Sequence, residues 1–204
     1  MIDFLSKGGI LVIPIALCSV IALAIFLERI IRFSRLRIQT DGFIEKIGIH
    51  IQNKEPDAAA QLAGGTPTPL GRVIVQALEV HSGDRETLEA VMSNASAQEI
   101  RDLSRYTQTL ATIGNIAPLL GLLGTVLGMI KAFMVIQQMG GKVNAAVLAG
   151  GIWEAMLTTA LGLAVALPTM VAHNYIMSRV DRYEAQLYDG AVRFLKHLPP
   201  HRRT

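Results

Sequence analysis

The feature that most constrains this chain is the apolar stretch Ala145 to Val171, AAVLAGGIWEAMLTTALGLAVALPTMV, which carries a single ionisable residue, Glu154. A helix of that length rises roughly 40 Å at about 1.5 Å per residue and can cross a hydrocarbon core of about 30 Å. It is therefore predicted to span a bilayer. A carboxylate inside such a span costs about 2.5–3.5 kcal/mol on insertion scales, so it calls for a partner, a water-filled cavity or a proton. Glu154 is the first place to look for function.

Two further runs share this character. Ile10 to Leu27 carries no charge and ends at Glu28-Arg29, and Leu110 to Ile130 is followed by Lys131 and an apolar tail to Met139. Basic residues follow the first run instead of preceding it, which reads as an uncleaved anchor and not a secretory signal. Of the 19 Lys and Arg, ten lie between Arg29 and Arg105 and six after Val171. The positive-inside rule puts both groups in the cytoplasm and the N-terminus outside.

The expected fold class is an all-α integral membrane protein with three transmembrane helices and long helices extending into the cytoplasm. Its order is a periplasmic amphipathic lead (1–9), transmembrane helix 1 (10–28), cytoplasmic helical arms (29–109), transmembrane helix 2 (110–136), a periplasmic turn (137–144), transmembrane helix 3 (145–172) and a cytoplasmic C-terminal helix and tail (173–204). The polar region divides at Gly64-Gly65-Thr66-Pro67-Thr68-Pro69, where glycine and proline stop a helix, so two arms are predicted. No glycine or proline occurs from Arg85 to Ile113. The second arm is thus predicted to run unbroken into the second span, as one helix of about 50 residues. Beyond Ser178, Val180, Tyr183, Leu187, Val192 and Leu195 recur at helical spacing and predict one more amphipathic helix before Pro199-Pro200.

Several function classes drop out. The formal charge of +3 is scattered and not gathered with aromatics, so nucleic acid is not an expected partner. The lone cysteine, Cys18, lies in an apolar run and excludes a disulfide framework. Gly121, Gly124 and Gly128 lie inside an apolar helix, not after a strand, and make no phosphate loop. The five histidines show no ligand spacing, so no metal site is expected. With no triad or paired-acid arrangement either, the chain is not expected to be an enzyme.

In the second span Gly114, Pro118, Gly121, Thr125, Gly128 and Ala132 recur by threes and fours, so one helix face is made of small residues. The third span repeats this with Gly151, Ala155, Thr159, Gly162, Ala166 and Thr169. Small faces let membrane helices approach closely and bond across the interface. The two spans are antiparallel about a turn near Lys142, so residues equally far from it in sequence fall at equal depth. That pairs Thr125 with Thr159, and Lys131 with Glu154. Lys131 can snorkel to the outer headgroups or pair with Glu154, and both readings stay open. Thr158 lies nearer the Glu154 face than Thr159 does, so either threonine can face a path.

The segments IGNIAPLLGLLGTVLGMIKAF (Ile113 to Phe133) and GGIWEAMLTTALGLAVALPTMVAHNY (Gly150 to Tyr175) together resemble the paired motif of the proton-channel family that includes ExbB, TolQ and MotA. The start GGILVIPIALCSVIALAIFLERI is similar to that of short ExbB proteins. The resemblance implies a homo-oligomer, typically a pentamer, whose second and third spans surround the single membrane helices of an ExbD-like pair carrying an intramembrane aspartate. A TonB-like protein would be the further partner. It also implies no cofactor beyond protons as coupling ion, and a proton pathway at Glu154, Thr125 and Thr159, with Lys131 and Thr158 as secondary candidates. Lys131 departs from the family, whose ExbB and TolQ members carry His or another polar residue there. Gly114, Gly121, Gly128, Gly151 and Gly162 are expected to serve helix packing. The rival readings are a TolQ-like motor for envelope integrity or division, a motility stator, a solute channel, and a ring scaffold in which Glu154 only ties subunits together.

Overall fold

The protein is an all-α integral membrane protein, and three helices among its described residues are long and apolar enough to cross a membrane. The structure, a computed structural model, describes residues 9–36, 41–53, 55–80, 84–139 and 145–198. The lead before Gly9, the turn about Lys142 and the tail beyond Leu198 lie outside the described residues. Seven helices are present among the described residues: α1 Val12–Arg35, α2 Asp41–Gln52, α3 Pro56–Gly64, α4 Pro69–Glu79, α5 Arg85–Leu103, α6 Thr107–Gln138 and α7 Ala145–His197. They form two compact units, one from the described parts of Met1–Arg29 and Tyr106–Tyr175, the other from those of Ile30–Arg105 and Ile176–Thr204.

The polar unit has the ordinary physics of a soluble helical domain. Phe43, Ile44, Ile47, Val73, Ile74 and Phe194 are among the side chains buried in its core. Local chemistry explains its breaks. Pro56 and Pro69 stand in the first turns of α3 and α4, where no backbone donor is needed. Thr68 caps α4 by accepting from the Gly71 amide at 3.1 Å, and Asp84 caps α5 by accepting from Thr87 at the same distance. Arg72 on α4 grips Glu99 on α5 through Nε at 2.6 Å and a second guanidinium nitrogen at 2.5 Å, a bidentate pair. Tyr183 stacks on Phe33 and donates its hydroxyl to the Leu36 carbonyl at 3.1 Å. Burial pushes the Tyr183 phenol above its usual range, with Arg179 pulling the other way.

Three expectations are corrected here. The two predicted arms are four helices, α2 to α5, because the proline at 56 and the cap at Asp84 start new helices that periodicity alone does not separate. The predicted unbroken helix from the second arm into the second span is interrupted between Leu103 and Thr107. Tyr106 adopts φ 65°, a left-handed conformation that costs an L residue about 1–2 kcal/mol. The Arg29 guanidinium, 5.4 Å from the Tyr106 ring centroid, gives part of that back. The third correction runs the other way: the C-terminal helix is not separate, since α7 continues from Ala145 to His197 with Pro168 inside it. Thr169, next to that proline, donates its hydroxyl back to Val165 at 2.7 Å.

In the apolar unit the predicted small faces of α6 and α7 meet. A Cβ placed on Gly162 would lie 2.6 Å from the Ala117 carbonyl oxygen and 3.1 Å from the Gly121 Cα, so backbone touches backbone. Gly128 faces Ala155 and the Gly151 carbonyl, Gly151 faces Ala132, and Gly114 faces Met170. These contacts are those expected for antiparallel spans about a turn near residue 142. Bulky side chains such as Leu119, Phe133, Met156 and Leu167 point away and are exposed, as suits faces that meet lipid or protein.

Two outcomes are expected. Phe194→Ala, in the core of the polar unit, lowers stability by about 3–5 kcal/mol, whereas Tyr188→Ala at a 73% exposed position stays within about 0.5 kcal/mol; thermal unfolding of the solubilised protein separates them. Gly162→Ala lowers the fraction surviving heating in mild detergent despite the better helix propensity of alanine, while Gly150→Ala, whose added Cβ meets nothing within 4 Å, does not.

Candidate functional site

The site is built at one end of the α6–α7 contact. Helical spacing puts Lys131 three residues after Gly128 on α6, and Glu154 three residues after Gly151 on α7, so both long side chains leave the edge of the small-residue seam. There they meet. The Lys131 ammonium lies 3.2 Å from Glu154 Oε2 and 3.5 Å from Oε1. The carboxylate side chain is 22% exposed and the lysine side chain 70%, so the anion is the sheltered partner. In water an exposed pair of this kind is worth at most about 1 kcal/mol. Beside hydrocarbon the alternative is an unpaired charge, and the pair is held more firmly.

A third chain segment closes on the carboxylate. Gly9, just before α1, has φ +70° and lies so close to Glu154 that a Cβ there would overlap Oε1 and sit 3.3 Å from the carboxyl carbon. Glycine suits the left-handed backbone, and a larger side chain there would displace the carboxylate. Around the three residues lies a cavity of about 670 Å³, lined also by Gly128, Ala132 and Trp153. Gly128 and Ala132 on α6 and Ala146, Gly150 and Gly151 on α7 leave much of its space open.

The threonines sort themselves by burial. Thr158 is 2% exposed, packed into the space left by Gly124, and donates to the Ala155 carbonyl at 2.8 Å. Thr159, half-buried, donates across the interface to the Gly121 carbonyl at 3.1 Å. Thr125, one turn from Gly121, is half-buried and donates to Leu122 in its own helix at 2.6 Å. The structure thus joins Glu154 to Lys131 and Thr159 to Gly121. Thr125 and Thr159 have their hydrogen bonds to different carbonyls.

Sequence reasoning missed Gly9 and Trp153. A glycine ahead of an apolar run signals only a helix start, and its approach to a residue 145 positions later has no local trace. Trp153 adjoins the carboxylate in sequence, but an apolar residue in an apolar span carries no periodic signal of a cavity wall. The arrangement can hold a charge inside a membrane, exchange one counter-ion for another, and carry a proton on a sheltered carboxylate at the edge of a cavity. Among the described residues no cluster of three or more His, Cys, Asp or Glu could hold a metal ion.

Comparison with known proteins agrees with this anatomy. The chain is 30% identical to an ExbB-like protein of Synechocystis sp. (ExbB-like 3) over 84% of its length and 82% of that protein's. It is also 30% identical to the biopolymer transport protein ExbB of Pseudomonas putida, over 91% of this chain and 58% of the relative. A Tol-Pal system protein TolQ of Haemophilus influenzae is 38% identical over a shorter stretch, 46% of this chain and 40% of that one. Residues 66–189, which include α6 and the Glu154 region of α7, match a family profile of wider scope. The chain belongs to the MotA/TolQ/ExbB proton channel family.

Proposed function

We propose that this protein is the proton-channel subunit of an inner-membrane motor that couples the proton motive force to work on a periplasm-spanning partner, energising TonB-dependent outer-membrane uptake. The observation that carries this reading is Glu154, a sheltered carboxylate on an otherwise apolar span, at the end of a seam that also holds Thr125 and Thr159. A charge so placed is costly even when paired, and ionisable residues within membrane spans mark ion and proton pathways. The likeness to ExbB proteins over most of the chain, against a shorter likeness to TolQ, favours nutrient uptake over envelope maintenance.

On this reading several copies, five in a ring, surround a pair of ExbD-like helices with an intramembrane aspartate. The N-terminus faces the periplasm and the C-terminus the cytoplasm. Protons reach the partner's aspartate along Glu154, Thr125 and Thr159, and neutralising that aspartate frees the pair to move within the ring. Each charge crossing 100 mV releases about 2.3 kcal/mol, so a few protons suffice for a mechanical step. The chain performs no covalent chemistry, and its coupling ion is the proton.

Glu154→Gln and Thr125→Val test this in cells whose only copy is the variant. Uptake of a radiolabelled ferric siderophore is expected to fall to the level of cells lacking the protein, while the tagged complex still purifies with its single-span partner. Normal uptake in both variants overturns the path. Loss of the complex itself in Glu154→Ala would point instead to a scaffold.

A further inference from the structure

We infer that Lys131 and Gly9 form a built-in outer stopper that holds Glu154 in an ion pair across the proton path until that pair opens. The inference rests on the proton-path reading and adds to it a resting state within one chain. Three facts converge on the same carboxylate. Lys131 offers its ammonium to both oxygens, at 3.2 and 3.5 Å. Gly9, from a different part of the chain and in a left-handed conformation, lies so close to the carboxylate that a Cβ there would overlap Oε1. The cavity of about 670 Å³ around them has Lys131 as its cation and Glu154 as its anion, so the pair stands in the space a proton would cross.

The physical consequence follows from geometry and charge. Glu154 takes up a proton only at the cost of its attraction to the ammonium, because the neutral acid no longer holds the cation. While the pair is made, the ammonium also leaves a positive charge, 70% exposed, at the mouth, where it repels an incoming cation. Opening it takes a competing group for one partner, and an anionic side chain entering the cavity is the chemistry that would draw Lys131 away. Lys131 is therefore a positioning residue, acting through Glu154. Gly9 acts likewise, as the backbone stop that limits the carboxylate's travel.

The test uses the whole complex in right-side-out membrane vesicles loaded with a pH-sensitive dye, and follows proton entry after an external acid pulse. In a Cys18→Ala background, Lys131→Cys is expected to leak protons severalfold faster than its parent. An aminoethyl methanethiosulfonate, which attaches an ammonium through a disulfide, is expected to restore tightness, and the anionic sulfonatoethyl reagent is not. Lys131→Arg should stay tight, Gly9→Ala should leak, and the leak of Lys131→Cys should vanish when Glu154→Gln is added. A Lys131→Cys complex as tight as its parent overturns the stopper, as does equal restoration by both reagents or a leak that persists without Glu154. The uptake phenotype of Glu154→Gln is read separately. Normal uptake there removes the proton path, whereas lost uptake with a tight Lys131→Cys removes only the stopper.

Discussion

Everything in the apolar unit depends on how closely the backbones of α6 and α7 approach. Hydrocarbon offers no water to reward burying apolar side chains, so two membrane helices are held by packing and by what hydrogen bonds they can share. Gly121 and Gly162 let the chains touch at the peptide backbone, and Thr159 uses that proximity to bond the Gly121 carbonyl across the seam. A side chain at either glycine would push the helices apart and take that hydrogen bond with it. The same closeness sets the register that brings Lys131 level with Glu154.

The site is thus a by-product of packing at one end of the seam. Small residues such as Gly128, Ala132 and Gly151 leave open space at that end of the seam, beside Val135 and Trp153, and the two charged side chains line it. Their pairing solves an electrostatic problem that each would have alone in a membrane. It also means that the carboxylate has a partner to leave before it can do anything else. Gly9 adds a steric limit from outside the two helices, so the position of Glu154 is set by three segments far apart in sequence.

The polar unit follows other rules. There water is the alternative solvent, and the core is built from Ile, Val, Leu and Phe, with helix ends capped by Thr68 and Asp84 and a bidentate Arg72–Glu99 pair binding α4 to α5. Tyr106, at the start of α6, pays for its left-handed backbone with contacts to Arg29. An aromatic residue in that conformation would be hard to justify from local propensity, and it is the long-range cation that makes it tenable.

The sequence by itself determined the membrane class, the three spans, the small faces of α6 and α7, and Glu154 as the residue of interest. Each of these rests on a property of one local stretch: apolar length, helical period, or an isolated charge among apolar neighbours. The symmetry of two antiparallel spans also made Lys131 and Glu154 neighbours in depth, although depth alone could not say whether the lysine snorkels or pairs. Only the tertiary structure decided that, since the choice depends on side-chain direction across a seam. It also decided that the helix is interrupted before Thr107, that α7 continues through Pro168, and that Gly9 lies against Glu154. At Tyr106 a cation distant in sequence offsets a local backbone cost, and at Pro168 the helix continues against a penalty of about 3 kcal/mol, so local propensity alone predicts neither.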